Sequence, residues 1–333
     1  MSGHLTIVGG GSWGTALAIV LAPRFQRIRL WVYESDLAAR MASNRVNDVY
    51  LPGFRLPGRV EVTNHLPQAL EGASIVLSVV PSHLVRAVYG QMLPALQPDI
   101  LFVSATKGLE NGTLQRMTEV IREVVRASFV PRIAVISGPT FAREVAAGEP
   151  TALVVASDDP EAAQTIQSAF SGPTFRLYTS ADPAGVEVGG AVKNVVAIGA
   201  GVCDGLGLGH NALAALITRG LAEITRLATA MGGQAKTLAG LAGLGDLVLT
   251  CTGDLSRNRT VGVELAKGRG LEEIVNSMKM VAEGIKTTRA AVDLARRHEV
   301  EMPISTQMFE MLHFGVSPRE AIRRLMERSL KGE

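Results

Sequence analysis

Lys193 has the setting that most strongly indicates chemistry in this chain. It is the only charged side chain between Glu187 and Asp204, within the run VGGAVKNVVAIGAGVC. Burial among apolar side chains disfavours the charged ammonium, lowers its pKa and makes it a usable proton donor or acceptor. Two alternatives stay open, because the flexible stem could carry the charge to water, or Glu187 or another acid could pair with it. We expect three small residues on the same helical face to leave open space for a ligand beside the lysine. They are Gly189, Gly190 and Ala197.

A second lysine, Lys107, directly follows an apolar strand pattern in the segment SATKGL. Ligands of open α/β sheets bind outside the carboxyl ends of strands, so this position favours contact with a substrate. A solvated surface lysine is the alternative. The segment SGPTFA, which contains Gly138 and Thr140, follows another strand pattern. We expect it to face the same crevice.

Two polar groups in the last third of the chain add to this candidate site. Asp246 and Thr250 are four residues apart and would share one face of a helix. We expect Asp246 to hydrogen-bond a substrate hydroxyl or to hold Lys193 in place. Further on, Ser256, Arg257 and Asn258 combine a forked guanidinium with short polar side chains, which favours a phosphate or carboxylate. A polar loop that caps a helix is the alternative there.

The glycines Gly9, Gly11 and Gly14 form a GxGxxG pattern between an apolar strand pattern and a helical one. In that context the pattern is typical of dinucleotide binding. The first glycine allows a tight turn, the second lets the backbone approach a pyrophosphate, and the third lets helix and strand pack closely. The helix that follows would present free amide donors to the phosphates.

The end of the second strand predicts which dinucleotide is bound. Glu34 lies twenty residues after Gly14, where an acid accepts a hydrogen bond from the ribose 2′-hydroxyl of NAD. The nearest downstream arginine is Arg40, so the pattern favours NAD over NADP. A merely solvated Glu34, one residue too far along the turn, is the alternative.

Composition limits the class of protein. The chain has 333 residues, enough for two domains, with 47% hydrophobic residues and a net charge of only +2, so it has no broad attraction for nucleic acid or lipid. Cys203 and Cys251 have no metal-ligand spacing, which predicts no metal site and a reducing compartment. The N-terminus has no signal-peptide pattern, and Lys193 and Asn194 interrupt the longest apolar run. We therefore expect a soluble cytoplasmic protein without a membrane span.

Strand and helix patterns alternate in the first half of the chain and then give way to helices alone. Strand patterns cover residues 4–8, 27–33, 74–80, 100–104, 132–136, 151–157 and 175–179, and helical patterns in this half include 15–21 and 114–127. The later helical patterns cover residues 185–202, 212–231, 261–267, 271–277, 285–298 and 303–314. This order predicts an α/β fold: an N-terminal Rossmann-like, doubly wound parallel sheet over residues 1–184, then an all-α domain over residues 185–333. We expect the active site at the interface between the two domains.

Six segments occur in one order across nearly the whole chain: GGGSWGTALA, ATKGLE, SGPTFAREVAAGEPTA, GGAVKNVVAIGAG, AGLGDLVLTCTGDLSRNR and EGIKT. In this combination the chain resembles the soluble, biosynthetic NAD(P)-dependent glycerol-3-phosphate dehydrogenases. The resemblance implies that Lys193 is the proton acceptor in glycerol 3-phosphate oxidation and the proton donor in the reverse reaction. It also implies a homodimer whose product enters phospholipid synthesis. The segment WVYE, with Tyr33 and Glu34, is more similar to NAD-specific members.

The resemblance assigns further contacts to individual residues. For the substrate they are Lys107, Gly138, Thr140, Asp246, Ser256, Arg257 and Asn258, to which we add Lys193 and its neighbour Asn194. For the cofactor they are Ser12, Trp13, Lys107, Ala142, Arg257, Val281 and Glu283. The predicted catalytic set is Lys193, Lys107, Asp246 and Thr250.

These residues predict reversible hydride transfer between NAD(P)H and dihydroxyacetone phosphate. One alternative is a β-hydroxyacid dehydrogenase, whose helix-borne lysine is followed four residues later by asparagine. Here Asn194 is adjacent to Lys193 and position 197 is alanine, which argues against that alternative. The other is a non-catalytic NAD-sensing module, which would not need a proton donor such as Lys193.

Overall fold

The protein is described by a computed structural model over residues 3–278, 282–330 and 332. Its strands are His4–Val8 (β1), Arg27–Trp31 (β2), Val46–Asn47 (β3), Leu51–Arg55 (β4), Val60–Thr63 (β5), Ile75–Ser78 (β6), Leu101–Ser104 (β7), Arg132–Ser137 (β8), Thr151–Ala156 (β9) and Phe175–Ser180 (β10). Eight of them form one sheet in the order β10-β9-β8-β7-β6-β1-β2-β5, and β3 pairs with β4 in a separate hairpin.

The helices lie on both faces of this sheet and then continue as a helical assembly. In the sheet-bearing half they are Ser12–Leu21 (α1), Ser35–Asn44 (α2), Leu66–Leu70 (α3), Val85–Met92 (α4), Met117–Val125 (α5), Ala142–Ala147 (α6) and Pro160–Phe170 (α7). The later helices are Pro183–Gly205 (α8), His210–Ala230 (α9), Ala235–Leu238 (α10), Asp246–Thr252 (α11), Arg257–Ala266 (α12), Leu271–Ser277 (α13), Glu283–Arg297 (α14), Pro303–Phe314 (α15) and Pro318–Met326 (α16). This arrangement confirms the predicted fold class.

The central strands β6 and β7 are buried at every residue, and mostly apolar, because both of their faces are covered. On β7, Leu101 and Val103 pack into one core, whereas Phe102 points to the other face and packs beside Tyr89. Successive side chains of a strand point to opposite faces, so a two-sided core needs a continuous apolar run rather than an alternating one. This requirement explains why short runs in the sequence located the strands.

One pair in the sheet departs from the predicted parallel arrangement. β8 and β9 are antiparallel, whereas β9 and β10 are parallel to each other, so the last two strands run against the other six. The chain between β8 and β9 forms α6, which packs on α1. Because this connection does not cross back to the amino ends of the strands, the chain re-enters the sheet in the opposite direction.

Two predicted helices begin elsewhere. The helix predicted from residue 114 begins at Met117, because Leu114 has φ of 64° and Arg116 occupies the cap position. The helix predicted from residue 261 begins at Arg257, because the Ser256 side chain caps it by accepting from the backbone N–H of Arg259.

Helix α8 is the central element of the helical half and contacts α9, α11, α12, α14 and α15. Among the described residues it is the one helix long and apolar enough to span a membrane, and its most apolar stretch is entirely buried inside the protein. Two glycines explain the close approach of α12. A Cβ on Gly201 would lie 1.9 Å from the carbonyl oxygen of Arg259, and one on Gly262 would lie 1.9 Å from that of Ile198.

The sheet ends and the helical half begins within a few residues. Strand β10 ends at Ser180, and Asp182 caps α8 by accepting from the backbone N–H of Gly185 at 2.8 Å. The predicted domain division between residues 184 and 185 therefore lies in the first turn of α8, and it stays a prediction.

Candidate active site

Lys107 and the segment after β8 meet at the carboxyl edge of the sheet. The Lys107 ammonium donates to the carbonyl oxygen of Gly138 at 2.8 Å and to Oγ1 of Thr140 at 3.1 Å. Gly138 has φ of 153°, and a Cβ there would lie 3.0 Å from Cα of Leu153. A glycine at this turn thus lets the loop reach Lys107.

Lys193 lies in the middle of α8 and is 5% exposed. Its ammonium donates to Oγ1 of Thr250 at 2.8 Å and to a carboxylate oxygen of Asp246. Thr250 in turn donates to the backbone carbonyl of Asp246 at 2.6 Å, as expected for residues four apart on one helix. The stem of Lys193 therefore does not carry its charge to water, and the acid that pairs with it is Asp246. Glu187 pairs instead with Arg116.

Asp246 joins the two lysines. It is completely buried, and its second carboxylate oxygen accepts from the Lys107 ammonium at 2.8 Å. Burial lowers the pKa of Lys193 to about 7, while the Asp246 carboxylate acts in the opposite direction and the Lys107 ammonium lowers it further. Both protonation states of Lys193 are therefore populated near neutral pH, which suits a group that both gives and takes a proton.

The small residues of α8 do not leave the open space that we expected beside Lys193, because neighbouring residues fill it. A Cβ on Gly189 would lie 2.8 Å from the carbonyl oxygen of Ala242, and one on Gly190 would lie 2.6 Å from Oγ of Ser137. Ala197 is fully buried. The two glycines let the backbone of Ala242 and the side chain of Ser137 pack closely on α8, and that part of the prediction was wrong.

One of these close neighbours is a π-helical turn, Leu241–Gly245, which leads directly into α11. Such turns are rare and frequently occur at functional sites. A Cβ on Gly243 would lie 2.1 Å from the carbonyl oxygen of Leu238, so a glycine is needed for the turn to close. Because α11 begins at Asp246 directly after this turn, the turn positions the Asp246 carboxylate beside the Lys193 ammonium.

The proposed anion site lies at the start of α12. Ser256 is the cap residue and Arg257 is the first residue of the helix, with its side chain exposed. Asn258 donates from its side chain to Oδ1 of Asn194 at 2.9 Å and accepts from the backbone N–H of Gly284 at 2.9 Å. The helix-capping alternative thus describes Ser256. The same geometry offers free amide donors and a guanidinium to an anion.

The glycine turn after β1 fits the pyrophosphate of a dinucleotide. Gly9 has φ of 126°, and a Cβ on Gly14 would lie 1.9 Å from the carbonyl oxygen of Gly9. A Cβ on Gly11, by contrast, would meet no atom within 4 Å. The residue at the cap of α1 is Gly11, which has no side chain to bond the amide donors of Ser12 and Trp13, so these donors face this space.

The carboxyl end of β2 carries the acid predicted to choose the cofactor. Glu34 is exposed and immediately precedes α2, and its carboxylate accepts from the Tyr50 hydroxyl at 2.8 Å. This hydrogen bond raises the pKa of Tyr50. Tyr33 beside it is 78% exposed. The carboxylate is therefore not merely solvated, because it accepts this hydrogen bond from Tyr50. Its role in the choice of cofactor stays a prediction.

The remaining predicted cofactor residues lie at helix starts. Ala142 begins α6, and Glu283 begins α14, where its carboxylate accepts from Oγ of Ser82 at 2.9 Å. Val281, which the resemblance also assigned to the cofactor, lies outside the described residues. Within the described part of the chain, no group of three His, Cys, Asp or Glu side chains could hold a metal ion.

One residue of the cofactor turn was missed from the sequence. Asn47 is fully buried, and its side-chain amide donates to the carbonyl oxygen of Gly10 at 2.8 Å and to Oγ1 of Thr15 at 2.9 Å. It therefore holds the glycine turn from the β3–β4 hairpin. An asparagine in a polar loop carries no signal of such a role, because its partners lie more than thirty residues away.

Known proteins match the chain over almost its whole length. The N-terminal model of the NAD-dependent glycerol-3-phosphate dehydrogenases matches residues 4–163, and the C-terminal model matches residues 182–323. A protein of Koribacter versatilis named glycerol-3-phosphate dehydrogenase [NAD(P)+] is 60% identical, covering 98% of this chain and 97% of its own. Its namesake in Geobacter sulfurreducens is 50% identical, covering 100% and 99%.

A solved structure agrees with these sequence relatives. The glycerol-3-phosphate dehydrogenase of Coxiella burnetii superposes with a TM-score of 0.94 at 42% identity, covering 98% of this chain and 99% of that one. Two family models and full-length relatives thus lead to the same assignment. The chain belongs to the family of NAD-dependent glycerol-3-phosphate dehydrogenases.

Proposed function

We propose that the protein catalyses the reversible, NAD(P)-dependent interconversion of dihydroxyacetone phosphate and sn-glycerol 3-phosphate. The observation that carries this proposal is the buried Lys193 ammonium, held by Asp246 and Thr250 with a pKa of about 7. The names of the relatives support the choice of substrate. Family membership and the buried proton donor both favour this activity over a β-hydroxyacid dehydrogenase or a non-catalytic sensor.

The phosphate of the substrate would bind at the start of α12. Arg257 and the free amide donors there would hold its oxygens, with Asn258 and Asn194 fixed beside them. Anchoring one end of the three-carbon substrate orients its carbonyl towards Lys193. Gly138 and Thr140 would line the opposite wall together with Lys107.

Lys193 would act as the general acid in reduction. The bound dinucleotide supplies the hydride for the C2 carbon of the substrate. Lys193 donates a proton to the oxygen that becomes the alcohol, and in the reverse direction its neutral amine takes this proton back. Lys107 adds positive charge near the developing alkoxide, while Asp246 and Thr250 keep Lys193 in position.

For the cofactor we propose contacts from the glycine turn and from Ser12, Trp13, Ala142 and Glu283. Glu34 supports a preference for NAD, because an acid at this place accepts from a ribose hydroxyl and repels a 2′-phosphate. Family resemblance supports three further proposals: a homodimer, a cytoplasmic location, and a product that enters phospholipid synthesis. Light scattering, which measures the mass of the protein in solution, tests whether it is a homodimer.

The experiment that tests the activity follows reduced-cofactor absorbance after addition of dihydroxyacetone phosphate. We expect rapid oxidation of NADH and slower oxidation of NADPH. Unphosphorylated dihydroxyacetone is the matched control, since it keeps the carbonyl and lacks the group that Arg257 would hold. Absence of substrate-dependent oxidation with both cofactors would refute the proposal.

A further inference from the structure

Glu187 is a buried carboxylate that the proposed mechanism does not use. It lies on α8, and its side chain is 1% exposed. Three donors surround it: the Arg116 guanidinium at 2.8 Å, the backbone N–H of Thr118 at 2.8 Å and the Thr118 hydroxyl at 2.5 Å. All three belong to the start of α5, in the sheet-bearing half. Glu187 therefore ties the central helix of one half to a helix of the other.

The partners of Glu187 are structurally joined to Lys107. The chain between Lys107 and Arg116 turns back on itself through a β-bridge between Leu109 and Arg116. Within this turn the backbone N–H of Glu110 donates to the carbonyl oxygen of Gln115 at 2.9 Å. The segment from Lys107 to Thr118 is thus a closed, hydrogen-bonded loop with Lys107 at one end and the Glu187 contacts at the other.

Glu187 is equally firmly connected to Lys193. Both side chains project from α8, six residues apart, which corresponds to about 9 Å along the helix axis. The helix carries no break between them. Any movement of α8 relative to the start of α5 therefore changes the position of Lys193 relative to Lys107.

We propose that Glu187 is a positioning residue, which holds the helix of Lys193 against the segment of Lys107 and so sets the separation of the two ammonium groups at Asp246. The proposal rests on the proposed function, in which Lys193 exchanges the proton. It adds a residue that touches neither substrate nor cofactor.

The direction in which the pKa of Lys193 changes depends on which half of the protein carries each charge near it. Asp246 and Lys193 both come from the helical half, on α11 and α8, so their attraction survives when the Glu187 contact is weakened. Lys107 comes from the sheet-bearing half, so its repulsion of the Lys193 ammonium weakens. Cys251, which interacts electrostatically with Lys193, also belongs to α11, so its effect on Lys193 does not change when the two halves loosen. Weakening the Glu187 contact should therefore raise the pKa of Lys193.

The chain contains a matched control for Glu187. Glu223 on α9 is 1% exposed and accepts from the backbone N–H groups of Ile304 at 2.6 Å and Ser305 at 3.1 Å, and from the Ser305 hydroxyl at 3.1 Å. It caps α15 much as Glu187 caps α5. All of its partners lie in the helical half, so its loss does not loosen α8 from the sheet.

The test is an NMR titration of the Lys193 side chain, labelled with 13C at Cε, in the full chain. The signal is assigned by its disappearance in Lys193→Met. We expect a midpoint near 7 in the unchanged protein and in Glu223→Gln. In Glu187→Gln the midpoint should rise by roughly one pH unit, as the two ammonium groups move a few ångströms apart. The alkaline limit of dihydroxyacetone phosphate reduction should move with it.

An unchanged midpoint in Glu187→Gln would overturn the proposal, and so would an equal rise in Glu223→Gln. If Glu187→Gln does not fold, Thr118→Val removes only one of the three donors and should give a smaller rise. The titration does not depend on turnover. Failure of the unchanged protein to reduce dihydroxyacetone phosphate would refute the proposed function, while the titration would still decide the role of Glu187.

Discussion

Lys193 and Asp246 form an ion pair in which neither side chain is more than 6% exposed. Such a pair offers little net stability, because desolvation of two charges offsets most of their attraction. Its role is chemical, because burial lowers the pKa of Lys193 to about 7 while Asp246 favours the ammonium form, so both protonation states can be used. Lys107 completes the arrangement by binding the other carboxylate oxygen.

Removal of the proton donor should strongly reduce turnover and leave cofactor binding intact. We expect Lys193→Met to lower kcat by roughly 10²–10⁴-fold, the usual contribution of a general acid. The NADH affinity, measured by fluorescence titration, should not change. Lys236→Met, at an exposed lysine on α10, is the control and should keep full activity. Undiminished turnover in Lys193→Met would contradict the assignment.

The two reaction directions should have opposite dependences on pH. Reduction needs the ammonium form of Lys193, so kcat/KM for dihydroxyacetone phosphate should be level at acid pH and fall above about 7. Oxidation needs the neutral amine, so kcat/KM for glycerol 3-phosphate should rise through about 7 and then level off. Rates measured in both directions across this range check the prediction. If kcat/KM rose with pH in both directions, or fell with pH in both, one group could not serve as the acid in reduction and the base in oxidation.

Two glycines of the cofactor turn should respond differently to the same substitution. Gly11→Ala places a methyl group where no atom lies within 4 Å, so the thermal midpoint should stay unchanged while NADH affinity falls. Gly14→Ala places it 1.9 Å from the carbonyl oxygen of Gly9 and should lower the thermal midpoint as well. Calorimetry and NADH titration on both variants separate the two effects. Equal stability loss in both would show that Gly11 also lies in a packed position.

Cofactor preference should depend on Glu34. We expect Glu34→Ala to reduce the preference for NADH over NADPH by about tenfold, through loss of one charge-assisted hydrogen bond and one repulsion. Asp36→Ala, at an exposed acid two residues further on, should leave the ratio unchanged. Tyr50→Phe should give an intermediate ratio, because it frees the carboxylate that the hydroxyl holds. A ratio of kcat/KM values unaffected by Glu34→Ala would place the choice of cofactor elsewhere.

Most of the sheet could be predicted because its signals are local. A strand covered on both faces must be continuously apolar, and a glycine turn between strand and helix is visible in six residues. The reversal at β9 could not be read in this way. Whether α6 crosses the sheet or stays beside α1 depends on contacts between distant segments, and the local pattern of a strand is the same in either direction.

The site residues show the same division. Ser256, Arg257 and Asn258 were expected in one place from their types, but their position on the first turn of α12 depends on where the cap forms. Gly189 and Gly190 lie against Ala242 and Ser137, which leave no room for a side chain. These neighbours are far away in sequence. Asn47 could not be found at all, because its hydrogen bonds reach Gly10 and Thr15, which are more than thirty residues away in sequence.

By itself, the sequence determined the kind of fold, the dinucleotide turn and the lone lysine in an apolar helix, because each depends on neighbours within a few residues. Only the tertiary structure decided which acid neutralises Lys193. Glu187 is close in sequence but points to Arg116, whereas Asp246 is 53 residues away and is brought to Lys193 by the packing of α11 on α8. The strength of an ion pair depends on the distance between the charges and on their desolvation. Both depend on the tertiary structure, and the order of the residues does not show them.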